Sequence, residues 1–239
     1  MRKLPTFLRI GLVTIILALS SGCAVPQDVL QKNNTMLPVA VQQIEDAVHQ
    51  YYKEKAILPI VTKDRDTPIF EKYEIELAKL YPHYLTHIPE PAYEEGGIYR
   101  FVILDPEGEQ AVRAMDLHLI QQVNDLQRWL IEYVKKQGQY PTLEEVEPGY
   151  YTLNEDKLGR QKAWIKSPFS DRQLPLLLHR SGRLIVDFRP EIQTMLVEGE
   201  EQDRDLRWLI VENTPFVPNC GAPIYWEEGK LKLDPNQPY

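Results

Sequence analysis

The sequence lacks the short motifs by which many enzyme active sites are recognised. It contains no G-x-S-x-G nucleophile turn, no phosphate-binding loop, no glycine-rich dinucleotide turn and no H-E-x-x-H metal motif. Without such a motif, the sequence indicates no particular reaction and no particular cofactor. We therefore expect a protein that is not an enzyme and that holds no cofactor.

Positive charge is also scarce. The chain has 27 Lys and Arg residues against 35 Asp and Glu residues, which gives a net charge of -8. An acidic surface disfavours nucleic acids and anionic lipid headgroups as partners. We expect no nucleic-acid partner, and no attachment to a membrane through surface charge.

Long apolar runs are missing, and the one near the N-terminus is short. Ile10–Leu19 spans about ten residues, whereas a helix that crosses the hydrocarbon core needs about 20. Positive residues precede this run, and small residues follow it: Arg2, Lys3 and Arg9 on one side, Ser20 to Gly22 on the other. This order is typical of a secretory signal peptide, which we place at residues 1–22.

The leader ends in Ser20-Ser21-Gly22-Cys23. This ending resembles the lipobox of bacterial lipoproteins, although Ser20 stands where that family usually has Leu and Leu19 lies one residue further back. The resemblance implies that Cys23 takes a diacylglyceryl group and becomes the mature N-terminus. An ordinary signal peptide with a different cleavage site is the alternative.

The resemblance also implies where the protein works. The whole pattern resembles the small uncharacterised lipoproteins of Bacillus-type bacteria, so we expect an extracytoplasmic protein, anchored to the cell membrane by its N-terminal lipid. The leader alone fits a Gram-positive or a Gram-negative envelope. Residues 23–36 are short and polar, and we interpret them as the lipidated cysteine and a flexible tether.

Cysteine is rare, with only Cys23 and Cys220 in the chain. If Cys23 is acylated, Cys220 has no partner within the chain, and a single extracytoplasmic thiol can be a reactive site or a link to another chain. The segment Pro218–Pro223 has no His or Lys that would lower the thiol pKa. A half-buried structural cysteine is the favoured interpretation.

Three segments carry the same hairpin pattern of a proline, a strand, a polar-glycine turn, a second strand and an aspartate. They are residues 91–105, 175–187 and 223–234. Helical spacing precedes the first two, at Ile44, Ala47, Val48 and Tyr51 and again at Val123, Leu126, Leu130 and Val134. Gly138 is a plausible helix stop.

These repeated helix and hairpin patterns predict an α+β fold of tandem helix-plus-β-hairpin units. Two full units are placed at 37–117 and 118–190, and a shorter third unit at 191–239. Ser167-Pro168-Phe169 and Thr214-Pro215-Phe216 lead into the second and third hairpins in the same way. Their common order favours duplication over chance.

Candidate ligand sites are weak. His83 and His87 could share a helix face and bind a metal, but prolines bracket them and no third ligand stands at a telling distance, so no metal site is predicted. The acidic runs Glu144–Glu147 and Glu198–Asp203 lack calcium-loop spacing and are interpreted as solvated loops. Ten aromatic residues near helix ends and hairpins could form a partner or glycan platform, or could pack in the core: Tyr51, Tyr52, Tyr93, Tyr99, Tyr140, Tyr150, Tyr151, Trp164, Tyr225 and Trp226.

Two functions remain open at this point. The first is a non-enzymatic envelope lipoprotein that contacts another envelope protein or a cell-wall component, with its ligand-binding residues unknown. The alternative is a solute-binding lipoprotein of an ABC transporter, although such proteins usually have two α/β lobes and this chain is short. The residues identify neither ligand nor partner.

Overall fold

The computed structural model describes residues 27–197 and 203–237, with side chains from Asn34 onward. Its helices are α1 (Gln27–Lys55), α2 (Ile69–Lys72), α3 (Leu77–Leu80), α4 (Leu117–Gln137), α5 (Glu155–Leu158), α6 (Arg189–Met195) and α7 (Trp208–Asn213). Its strands are β1 (Tyr99–Leu104), β2 (Ala111–Asp116), β3 (Thr142–Glu147), β4 (Tyr150–Leu153), β5 (Trp164–Lys166), β6 (Gln173–His179), β7 (Leu184–Val186), β8 (Ile224–Glu227) and β9 (Lys230–Leu233). Every strand pairing between these strands is antiparallel, so the predicted α+β class is confirmed.

Helix α1 packs on the β1–β2 hairpin through one apolar face. The three- and four-residue spacing that predicts this helix puts Ile44, Ala47 and Val48 among its buried side chains, as expected. The helix begins at Gln27, however, inside the segment 23–36 that we expected to be a flexible tether. The expectation is wrong for residues 27–36, because this polar stretch contains no Gly or Pro and runs without a break into the packed face that starts at Leu37.

The first predicted hairpin is displaced by one strand. Residues 91–95 form no strand; Tyr93–Glu95 is a single 3-10 turn that ends at Gly96, whose φ is +81°. The predicted second strand is β1, and it pairs with β2 across a turn at 105–110. The turn contains Asp105-Pro106-Glu107-Gly108, a composition typical of turns, which the prediction passed over by ending the hairpin at Asp105. Asp105 and Gln110 adopt positive φ (49° and 55°).

The second and third predicted hairpins are confirmed. Strand β6 pairs with β7 around Gly182, and β8 pairs with β9 around the two-residue loop Glu228-Gly229. Both loop residues have positive φ, 52° and 78°, as a tight hairpin of the I′ kind requires.

Helix α4 covers the five-stranded sheet, whose strand order is β3-β4-β6-β5 with β7 also on β6. Asp116 caps its first turn by accepting from the His118 and Leu119 amides, and Gly138 ends it with φ +75°, as predicted. Strand β3 was not predicted, since its acidic residues were interpreted as a solvated loop. The correction is that Glu144–Glu147 form part of an exposed edge strand held by pairing with β4.

The chain before the third hairpin joins the two larger units. Ala114 of β2 exchanges backbone hydrogen bonds with Pro215 and Val217, at 2.8 and 3.0 Å. A few residues later, the Val186 amide of β7 donates to the Cys220 carbonyl at 2.8 Å. Segment 215–220 therefore connects the β1–β2 sheet to the five-stranded sheet.

Aromatic side chains follow the same junction. The Phe216 ring lies 5.6 Å from the Tyr99 ring and 5.9 Å from Phe169, which in turn lies 6.3 Å from Phe188. Ser167 and Thr214 hold the two lead-in segments in matching turns by accepting from the Phe169 and Phe216 amides. The two similar lead-in segments, Ser167-Pro168-Phe169 and Thr214-Pro215-Phe216, thus meet in one aromatic cluster.

Candidate binding cleft

A polar cleft of about 380 Å³ lies between the β3–β4 turn and the β8–β9 hairpin. Glu147 and Pro148 form one wall, Tyr225, Glu227 and Lys232 form the other, and residues 233–236 close the end. The cleft therefore lies between two hairpins whose buried residues belong to one hydrophobic core, which includes Tyr150 and Leu233.

The closing segment is fastened to the five-stranded sheet by buried side chains. The Tyr150 hydroxyl donates to the Asp234 carbonyl at 2.5 Å, and the His179 Nε2 lies 3.2 Å from the Pro235 carbonyl. Burial, followed by the charge of Asp234, raises the pKa of Tyr150 to about 12. Its hydroxyl consequently stays protonated and remains a donor at neutral pH.

Two Asp-x-Arg pairs support the cleft from behind. Arg189 bonds both carboxylate oxygens of Asp187 at 2.9 and 2.8 Å and also reaches Glu147 at 3.0 Å, which fixes the wall carboxylate. Arg207 donates to Asp205 through two nitrogens as well, but both bonds, at 2.9 and 2.7 Å, go to Oδ2, and Oδ1 lies farther from Nε at 3.2 Å. Two-pronged pairs of this kind hold both partners in one geometry.

The hairpin wall carries groups of mixed character. Lys232 Nζ lies 2.6 Å from Glu228 and 3.6 Å from Glu227. Burial, with smaller contributions from Asp205 and Asp234, raises the pKa of Tyr225, so that its phenol is neutral. The cleft thus offers a neutral aromatic hydroxyl, carboxylates and an ammonium group, which suits a polar ligand with both hydrogen-bond donors and acceptors.

Most of the residues singled out from sequence lie away from this cleft, and Glu147 and Tyr225 are the ones that line it. Cys23 lies outside the described residues. Cys220 is half-buried, and burial, followed by the charge of Glu71, raises its pKa to about 12. Its thiol is protonated and unreactive at neutral pH.

The histidine pair is exposed and does not share a helix. Helix α3 ends at Leu80, and both His83 and His87 lie in the turns that follow. Within residues 27–197 and 203–237, no group of three or more His, Cys, Asp and Glu side chains is placed to hold a metal ion.

The aromatic residues divide between core and surface. Tyr99 and Tyr150 are fully buried, Tyr52, Tyr93 and Tyr140 are exposed, and Tyr225 lines the cleft. Of the acidic run at 198–203, only Asp203 belongs to the described residues, and it is exposed.

Sequence reasoning interpreted Glu147 as part of a solvated loop and missed Lys232 and the Asp-x-Arg pairs. A usable signal was present, since Asp187-Phe188-Arg189 and Asp205-Leu206-Arg207 repeat one pattern. The meeting of Glu147 with the third hairpin has no local signal, because the hairpin begins at Ile224, 77 positions further along the chain.

In a comparison with known protein families, one family model matches part of the chain. Residues 36–116 match the model of the YphF family N-terminal domain. The match begins within α1, ends with β2 and leaves the cleft outside. No curated protein and no solved structure matches the chain. No helix within the described residues is long and apolar enough to cross a membrane.

Proposed function

We propose that the protein is an envelope lipoprotein, anchored in the cell membrane by acylated Cys23, that acts as a non-enzymatic binding module at the cell surface. The leader that ends at Cys23 carries this proposal, because a lipobox-like ending determines both the processing and the location of the mature chain. The polar cleft supports the binding role.

The lipid accounts for attachment without help from the protein surface. Each buried methylene contributes about 0.8 kcal/mol, and stable anchoring takes two acyl chains or a second signal. A diacylglyceryl group brings two chains. Loss of the leader removes three positive charges and moves the net charge from -8 to -11, which disfavours anionic headgroups.

Processing and attachment are tested by expressing the wild-type chain and Cys23→Ser in a bacterium with a lipoprotein pathway. The wild-type chain should partition into the membrane fraction, and Cys23→Ser should be released or remain unprocessed. Cys220→Ser is the matched control, since it removes the other thiol and should still fractionate with the membrane. Membrane retention equal to wild type in a Cys23→Ser chain whose leader has been cleaved contradicts the proposal.

The second candidate function is a solute-binding lipoprotein of an ABC transporter. The cleft volume of about 380 Å³ favours keeping it, because small-molecule sites begin at about 300 Å³. Thermal-shift screening against sugars, amino acids and metals separates the two functions. A true solute at 100 times its Kd adds about 2.7 kcal/mol to stability, and this gain should be absent in Tyr225→Ala. If no solute shifts the wild-type midpoint, the transporter function is dropped.

A further inference from the structure

A second groove lies on the five-stranded sheet, where β4 ends and β5 begins. It has a volume of about 430 Å³ and an apolar floor of Leu153, Leu176 and Leu177. Leu143 of β3 stands at its mouth with 68% of its surface exposed. A leucine this exposed beside an apolar floor gains free energy when a partner covers it.

The rim of this groove is acidic. Glu155 and Asp156 line it, Glu144 stands next to Leu143 on β3, and all three side chains are exposed. None of the three forms an ion pair with another residue of the described chain. Of the five carboxylates in residues 142–156, Glu147 pairs with Arg189. The exposed charges of Glu144, Glu155 and Asp156 therefore leave negative charge beside the apolar floor.

Strand β3 stands at the end of its sheet's strand order. An end strand presents backbone groups to which an extended segment can add. Its glutamates repel another acidic edge, which makes a second copy of this acidic chain a poor occupant. The same charge disfavours a nucleic acid or an anionic lipid surface.

We propose that this groove docks a basic, extended segment of a partner protein. An apolar side chain of the segment covers Leu143 and the leucine floor, and flanking Lys or Arg residues pair with Glu144, Glu155 and Asp156. This surface is distinct from the polar cleft and does not depend on the lipid at Cys23, so its failure would leave the proposed function standing.

The test is a binding titration with full-length protein in detergent micelles at low salt. The probe is a fluorescein-labelled, end-capped peptide of sequence Lys-Val-Lys-Leu-Lys-Val-Lys, and the matched peptide has Glu at each Lys position. One protein variant neutralises the rim through Glu144→Gln, Glu155→Gln and Asp156→Asn. The control variant removes equal charge from exposed positions of the first unit through Glu94→Gln, Glu95→Gln and Glu107→Gln. A third variant, Leu143→Asn, removes the apolar side chain at the mouth of the groove and leaves the charge of the rim unchanged.

The lysine peptide should bind at least about tenfold more tightly than the glutamate peptide. The rim variant should weaken binding by about tenfold, from three exposed charge pairs, while the control variant changes it less than twofold. Leu143→Asn should weaken binding without changing its salt dependence. The proposal is overturned if both peptides bind equally, or if the rim variant or Leu143→Asn binds the lysine peptide as tightly as the wild type does. It is also overturned if the control variant loses as much affinity as the rim variant.

Discussion

Phe216→Ala should destabilise the whole chain, because this ring lies in the aromatic cluster that joins the units. The ring is 4% exposed and contacts Tyr99 and Phe169 at centroid distances of 5.6 and 5.9 Å. Truncation of a buried Phe to Ala costs about 3–5 kcal/mol, through lost transfer free energy and the cavity left behind. Small domains have a total stability of about 5–15 kcal/mol, so the loss is a large share.

The assay is urea unfolding followed by tryptophan fluorescence and by far-UV circular dichroism. Both signals should give one coincident transition for the wild type, shifted to lower urea in Phe216→Ala. The neighbouring Phe169→Ala and the double variant should show a coupling of about 0.5–3 kcal/mol. Tyr93→Ala is the control: the residue is 54% exposed and its ring contacts Arg100 at 5.0 Å, so the loss should be no more than about 1 kcal/mol. A loss below about 1 kcal/mol in Phe216→Ala, or separate transitions for the two signals in the wild type, would refute the reasoning that segment 215–220 unites the sheets.

Three further predictions follow from single positions. Burial raises the pKa of Asp116 from 3.8 and outweighs the effect of its two cap hydrogen bonds. The stability of the wild type should therefore fall relative to that of Asp116→Asn as the pH rises from about 3.8 through the raised pKa. Urea midpoints of both proteins at acid and neutral pH check this, and a difference that stays constant with pH would contradict it. Gly229→Ala should lower stability by about 1 kcal/mol from its φ of +78° alone, since a Cβ there meets open space; an unchanged thermal midpoint would show that no strain arises. Because the Cys220 pKa is raised to about 12, alkylation by iodoacetamide at pH 8 should be slow in the folded protein and fast in urea, and equal rates would place the thiol in solvent.

The elements with strong local patterns were predictable from sequence. Ile44, Ala47 and Val48 repeat at helical spacing, and Gly138 ends its helix, because each signal depends on residues within one or two turns. The same holds for the Glu228-Gly229 hairpin. The first hairpin was misplaced because Gly96-Gly97 was taken as its turn, although Asp105-Pro106-Glu107-Gly108 also carries a local turn signal.

Long-range pairing explains the remaining differences. Strand β3 carries exposed glutamates and is stable only because β4 pairs with it, so its composition alone indicates a loop. Likewise, the polar cleft depends on Glu147 meeting Lys232 and Asp234, which lie far from it along the chain. Sequence reasoning found the hairpin that carries one wall and could not place the other wall beside it.

The binding role of the cleft is tested most directly by site-specific photocrosslinking in living cells. A photoreactive benzoyl-phenylalanine replaces Tyr225 in the cleft or, as a control, the exposed Tyr93 of the first unit. We expect a discrete crosslinked product from position 225 that is weakened by Lys232→Ala and is not formed from position 93. No product from position 225, or the same products from both positions, would contradict the proposal that this cleft is a binding site.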